Sequence, residues 1–270
     1  MNKVDGVILD WAGTTVDFGC FAPVKVFLQI FKQAGIEVSL EEARIPMGML
    51  KKDHIRTMLE MPRIRQLWEN KKARMISEQD IDELYTSFEP ALLASLMEYT
   101  QPLPAVVETV DLLRKSGLKI GSTTGYTDLM LQIVAAGAKA QGYTPDFWVT
   151  PDATGGHGRP YPYMIFRNIE ALRLAAPWTV VKVGDTAADI KEGIQAGVWS
   201  VGVVVGSSQM GLSQSEFEGL STAEQERVIT DTEQIFLSYG ADFTIRTMKD
   251  LPDLIAKIDQ LIGQGKRPKC

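Results

Sequence analysis

The stretch Val4-Asp5-Gly6-Val7-Ile8-Leu9-Asp10-Trp11-Ala12-Gly13-Thr14-Thr15 passes from a short, mostly apolar run of β character into a glycine- and threonine-marked turn, with a carboxylate at the junction. Similar apolar runs recur at residues 118–123, 147–149, 179–183 and 200–205, and a final one lies near residues 243–245. Between them the apolar spacing is helical: Val106, Val107, Val110, Leu112 and Leu113 predict one face, and Leu129, Ile133, Val134 and Ala136 predict another. Strands alternating with helices at this spacing predict βαβ units, so the fold class read from the pattern is α/β with a parallel sheet. In such sheets ligands collect outside the carboxyl ends of the strands. Asp10, Thr124 and Asp185 each follow a predicted strand end.

One interval departs from the alternation. Residues 21–99 contain no convincing β run, only helical periodicity; Phe27, Ile30, Phe31 and Ala34 mark one face, while Pro46, Pro62 and Pro90 punctuate the segments. Pro102 and Pro104 close the interval before the sheet resumes. The expected organisation is a catalytic core from residues 1–19 and 101–270, with residues 20–100 forming an all-helical cap domain, and a last helix near residues 250–262.

The composition bounds what the chain does. It has 270 residues, 45% of them hydrophobic and 23% charged, with a formal net charge of −6. A nucleic-acid partner is not expected from a chain of that sign, and an anionic substrate needs locally placed cations or a metal. Only two cysteines occur, Cys20 and Cys270, which excludes a disulfide framework or a cysteine-rich zinc site. The charged N-terminus does not read as a secretory signal, and no run approaches the ~18 apolar residues of a membrane span. The expected location is cytoplasmic, with no membrane partner.

Several side chains carry chemistry or simpler alternatives. Asp10 reads as a nucleophile, a metal ligand, or a turn former. Val183-Gly184-Asp185-Thr186-Ala187-Ala188-Asp189 places two carboxylates four apart where a strand passes into a helix, so both can face one cavity; alternatively they cap the helix. Oxygen ligands of this kind suit Mg²⁺. Ser122-Thr123-Thr124-Gly125 offers hydroxyl and backbone N–H donors to an anion, or an ordinary capping turn. Gly158-Arg159-Pro160-Tyr161-Pro162 frames an arginine suited to a phosphoryl group, or a surface turn. Lys51, Lys52, His54 and Arg56 cluster after Pro46-Met47-Gly48: a solvated basic helix face, or an amine whose pKa is lowered by crowding or desolvation and which attacks a carbonyl.

The four strand-end elements, in this order, resemble the haloacid dehalogenase superfamily, whose Rossmann-like core carries an aspartate-led loop, a Ser/Thr turn, a basic residue and a paired acidic motif. Phosphatases of that superfamily usually carry a second aspartate two residues after the nucleophile, as acid and base for an oxygen leaving group. Here that position is Ala12. Residues 10–17, Gly19-Cys20-Phe21-Ala22-Pro23, Pro46-Met47-Gly48, Met61-Pro62-Arg63-Ile64 and Gly121-Ser122-Thr123-Thr124-Gly125-Tyr126 resemble the phosphonoacetaldehyde hydrolases, or phosphonatases, over nearly the whole chain.

That resemblance implies an Mg²⁺-dependent hydrolase of a carbon–phosphorus bond in 2-aminoethylphosphonate degradation, and a homodimer. It implies Asp10 as nucleophile and metal ligand, the Ala12 carbonyl and Asp185 as further metal ligands, and Asp189 in support. Lys51, rather than Lys52, matches the Schiff-base lysine. Thr124 and Arg159 match phosphoryl-binding positions; Cys20, Met47, Gly48, His54 and Tyr126 match the surroundings of substrate and lysine. His157 receives no role.

Overall fold

The structure, a computed structural model, describes residues 3–269. Among these residues β1 (Gly6–Leu9), β2 (Lys119–Thr123), β3 (Phe147–Val149), β4 (Val180–Gly184), β5 (Trp199–Val203) and β6 (Phe243–Ile245) form one all-parallel sheet in the order β3-β2-β1-β4-β5-β6. The chain builds outward from β1 to β3, then returns to the other side of β1 with β4. The strand order therefore reverses at the β1–β4 pair, where Leu9 lies opposite Val183. A ligand crevice is expected at the carboxyl ends of such a pair.

Side chains alternate across the pleat. Val7 and Leu9 join the large core that includes Val106, Val110, Leu113, Leu131 and Val134, whereas Ile8 turns to the opposite face with Ile165, Leu174 and Val198. Helices α6 (Val106–Lys115), α7 (Asp128–Ala140), α8 (Tyr163–Leu172), α9 (Ala187–Ala196), α10 (Gln214–Gly219), α11 (Thr222–Ser238) and α12 (Leu251–Gly263) complete this part. The predicted fifth run extended to residue 205, and although the strand ends at Val203, Val204 N–H and Val205 N–H still donate to Ile245 and Arg246 carbonyls.

Two predicted helix faces need correction. Leu112 and Leu129 are exposed, and so is Ala136; the buried face of α7 runs through Met130, Leu131, Val134, Gly137 and Ala138. Gly137 explains the displacement. A Cβ there would stand 2.5 Å from Thr100 Oγ1, so the closest packing of α7 passes through a residue that an apolar count ignores.

Between β1 and β2 the described chain is helical: α1 (Phe21–Gln33), α2 (Leu40–Arg44), α3 (Lys51–Glu60), α4 (Pro62–Lys72) and α5 (Glu78–Ser95). Phe27 stacks on Phe88 at 4.4 Å, and Phe31, Ile55, Met58 and Leu92 are buried around them. Pro62 opens α4, where its missing N–H has no helical partner to lose. Pro90 does not end a segment as the sequence suggested; it lies inside α5. No described helix is long and apolar enough to cross a membrane.

The insertion leaves the core through residues 17–20, where Asp17 and Cys20 have φ of 55° and 53°. Asp17 Oδ1 and Oδ2 accept Phe21 N–H and Ala22 N–H at 2.9 and 3.0 Å, satisfying the start of α1 in place of a cap side chain. A cleft of about 830 Å³ lies beside this crossing and the return at residues 101–104.

Candidate active site

The turn after β1 is tied down from within. Trp11 carbonyl accepts the N–H groups of Thr14, Thr15 and Val16, and Thr15 Oγ1 donates to Asp10 carbonyl at 2.9 Å. Asp10 N–H meanwhile donates to Val183 carbonyl at 3.0 Å, so Asp10 is fixed to the strand that delivers Asp185. Asp10, Asp185 and Asp189 are all buried, and their carboxylates offer oxygen atoms within 4.8 Å of one another.

Crowded, buried carboxylates repel. Burial, then the charges of Asp10 and Asp189, push Asp185 well above the usual carboxylate range. Burial also raises Asp10, although Arg159 opposes it. For Asp189, burial is outweighed by Arg159 and Lys182, so its carboxyl is held below the ordinary value. Asp185 Oδ2 accepts Ser208 N–H at 2.7 Å, while its Oδ1 is buried without a hydrogen-bond partner. An unpartnered carboxylate oxygen facing two further carboxylates fits a divalent cation with oxygen ligands.

Arg159 is held from all sides. Nη2 donates to Asp10 Oδ1 at 2.6 Å and to Thr123 Oγ1 at 2.9 Å, Nε donates to Glu192 Oε2 at 2.9 Å, and Nη1 lies 3.1 Å from Asp189 Oδ1. Lys182 Nζ donates to Thr123 Oγ1 at 3.0 Å and pairs with Asp189 Oδ1 at 2.8 Å. Thr123 Oγ1 donates onward to Glu192 Oε2 at 3.0 Å. Asp10, Asp185, Asp189 and Glu192 thus face Arg159 and Lys182, a shortfall of positive charge that a divalent ion would offset.

Lysine enters from the other side. Lys51 opens α3 and is 4% exposed, whereas Lys52 and Arg56 reach the surface and pair with Asp82, and with Asp53 and Glu78. The basic cluster therefore divides, and crowding by its own neighbours is not the cause of any shift. Burial lowers the Lys51 pKa, opposed by Cys20, Asp10 and Asp185 and assisted by Arg159. Its Nζ lies 5.1 Å from the Tyr126 ring centroid. His54, one turn along α3, is buried, stacks on Phe27 at 3.8 Å and places Nε2 2.9 Å from Ala43 carbonyl. A carbonyl only accepts, so Nε2 carries the proton. Burial and the charge of Lys51 hold the ring pKa well below its ordinary value, leaving Nδ1 as an unpartnered acceptor.

A small cavity of about 20 Å³ is lined by Asp10, Ala12, Cys20, Met47, Gly48, Lys51, Thr124, Gly125, Tyr126, Arg159, Asp185 and Thr186. Every site residue expected from the sequence borders it except His54 and Asp189, which interact with Lys51 and Asp185 respectively. Burial pushes the Cys20 thiol well above its ordinary pKa, so no thiolate nucleophile is favoured there. His157 lies apart, against Tyr161 and Tyr163. Thr123 figured only within the turn Ser122-Thr123-Thr124-Gly125, and the sequence did not single out Lys182, Glu192 or Ser208. Only Lys182 carried a readable signal, a lone charge in the apolar run Val180-Val181-Lys182-Val183.

A family model for haloacid dehalogenase-like hydrolases matches residues 4–197. The chain is 57% identical to the phosphonoacetaldehyde hydrolase of Lysinibacillus sphaericus, with 96% of both chains covered. It is 52% identical to a bifunctional phosphonoacetaldehyde hydrolase/aminoethylphosphonate transaminase of Clostridioides difficile, matching 96% of this chain and 40% of that protein. The crystal structure of a phosphonoacetaldehyde hydrolase-like protein from Oleispira antarctica superposes with a TM-score of 0.94 at 39% identity, covering 98% of this chain and 96% of that one.

Proposed function

The chain belongs to the phosphonoacetaldehyde hydrolases of the haloacid dehalogenase-like hydrolases, and we propose that it converts phosphonoacetaldehyde and water to acetaldehyde and phosphate through an imine on Lys51 and an aspartyl phosphate on Asp10. One observation carries the mechanism: a buried lysine borders the cavity of Asp10, and the position of an acid for an oxygen leaving group is Ala12.

A carbon leaving phosphorus with its electron pair is a poor leaving group unless that pair is delocalised. Lys51, with its amine displaced toward neutrality by burial, attacks the aldehyde carbon, and loss of water gives an imine. His54, one turn away on α3, stays neutral and so adds no positive charge beside the Lys51 amine. Asp10 then attacks phosphorus, the C–P bond breaks, and its electrons move into the protonated imine to form an enamine. Protonation at carbon and hydrolysis release acetaldehyde and restore Lys51. Water cleaves the aspartyl phosphate to phosphate and Asp10.

Arg159 and the Thr124 turn hold the phosphoryl oxygens, and Arg159 is kept in place by Glu192 and Asp189 rather than by substrate. A magnesium ion bound by Asp10, the Ala12 carbonyl and Asp185, with Asp189 in support, would add positive charge against those oxygens. Residues 20–100 act as a cap that delivers Lys51 to Asp10. The paired activities in the Clostridioides difficile relative's name support a place in 2-aminoethylphosphonate breakdown. We also propose a homodimer, following the family resemblance; sedimentation velocity decides it.

The test is to incubate the protein with phosphonoacetaldehyde, Mg²⁺ and borohydride, and to map the adduct. A reduced two-carbon adduct on the Lys51 peptide, with loss of activity, is the expected result. An unmodified Lys51 peptide from protein that still releases phosphate would overturn the imine.

A further inference from the structure

Arg44 ends α2 in the helical insertion, yet its hydrogen bonds go to the core side. Nη1 donates to Gly19 carbonyl at 2.7 Å, to Ser208 carbonyl at 3.2 Å and to Ser208 Oγ at 3.3 Å, and Nη2 donates to Gly211 carbonyl at 3.3 Å. The guanidinium carbon sits 4.8 Å from the Phe21 ring centroid. Among the described residues no carboxylate pairs with Arg44, so its partners are backbone and hydroxyl oxygens on a planar fork, a task lysine does not share.

Both ends of this contact lead to the site. Ser208 N–H donates to Asp185 Oδ2 at 2.7 Å, so the loop that receives Arg44 also holds an acidic ligand in place. On the other side, Ala43 carbonyl accepts from His54 Nε2 on α3, the helix that begins with Lys51. A cleft of about 460 Å³ lined by Arg44, Met47, Asp185, Thr186 and Ser208 runs along this seam. The path Lys51–His54–Ala43–Arg44–Ser208–Asp185 contains the hydrogen-bonded crossing from insertion to core nearest the acidic ligand.

We propose that Arg44 is a positioning residue that fastens the helical insertion onto the Ser208 loop and thereby brings Lys51 and Asp185 into register. The inference rests on the reaction assigned above. If Arg44 is lost, the aligned arrangement is populated less, and apparent substrate affinity falls by the same fraction while bound substrate partly restores alignment. KM therefore rises more than kcat falls.

The experiment compares wild type with Arg44→Gln and Arg44→Lys in two readouts. The first, with no substrate present, is the rate at which acetic anhydride labels Lys51, followed by peptide mass spectrometry; the second is steady-state turnover of phosphonoacetaldehyde with Mg²⁺. We expect both variants to melt within a few degrees of wild type, Lys51 labelling to accelerate about tenfold or more, and KM to rise about tenfold with kcat changed by less than about threefold. Arg44→Lys keeps a positive charge and an aliphatic stem at this position and serves if Arg44→Gln does not fold. Labelling and KM within twofold of wild type in a folded variant would overturn the proposal, as would a loss confined to kcat. Failure of the reaction assignment shows differently: wild type itself then gives no turnover, while the labelling comparison still reports on Arg44.

Discussion

A methyl group at Gly125 would stand 2.8 Å from the carbonyl oxygen of Gly48, and 2.6 Å from that of Met49. The turn after β2 and the loop before α3 therefore meet backbone to backbone, closer than any Cβ allows. Gly125 has no positive φ, so alanine there meets only the neighbouring loop as an obstacle. Gly125→Ala is expected to retain its melting temperature within a few degrees, because the two parts can separate to relieve the clash, while kcat/KM falls at least about tenfold through lost positioning. Thermal denaturation and turnover on one preparation check this; unchanged turnover would mean that the contact is dispensable.

Lys51→Arg keeps a cation beside Tyr126 but removes the amine that forms an imine. Turnover is expected to vanish, with an unaltered circular dichroism spectrum. Wild type should show an acid limb in kcat/KM that reports the free amine. Burial lowers the Lys51 pKa, so the neutral form persists further toward neutrality than the ordinary lysine value of about 10.4 allows, and the rate climbs with pH until that form predominates. A pH–rate profile with its inflection at or above the ordinary value would contradict the buried amine.

Asp17 offers a test of stability. Its carboxyl is pushed from 3.8 up to about 7, chiefly by burial, against the N–H groups of Ala22 and Phe21 and the charge of Arg44. A carboxyl whose folded pKa lies above its unfolded value binds its proton more tightly when folded. Stability is then favoured below about pH 4 and falls as pH rises toward 7, by up to about 4 kcal/mol in all. Asp17→Asn, which keeps one acceptor for α1, should flatten this part of the profile. Denaturant melts of both proteins at pH 5 and 8 measure it; equal pH dependence would remove Asp17 as the cause.

Thr123 donates to Glu192 while accepting from Arg159 and Lys182, so Thr123→Val leaves three buried groups short of a partner. A loss of about 1–3 kcal/mol is expected, together with weaker phosphate inhibition as Arg159 loosens. Chemical denaturation and phosphate titration separate the two effects.

Family resemblance, not local pattern, points to Ala12, Cys20, Met47, Gly48 and Tyr126; the parallel sheet and the helical stretch between β1 and β2 are predicted because strand ends and their turns announce themselves locally. Asp10 and Asp185 are legible for that reason. Lys51 and Lys52 are equivalent in local pattern; only the packing of α3 against the core turn separates a 4% exposed amine from one that pairs with Asp82 at the surface. Arg44 carries no sequence signal, since its partners are carbonyl oxygens far along the chain. The exposed Leu112, Leu129 and Ala136 show the same limit: apolar counting finds a helix, but close approach at Gly137 decides which side faces inward.

The cavity between Asp10 and Lys51, at about 20 Å³, holds roughly one water. A molecule of several heavy atoms exceeds that space, so the Asp10 and Lys51 sides are expected to move apart as substrate enters, against the friction of solvent. Added viscogen should therefore slow kcat/KM, and extra methyl groups on the aldehyde should be rejected by volume before any chemistry is tried.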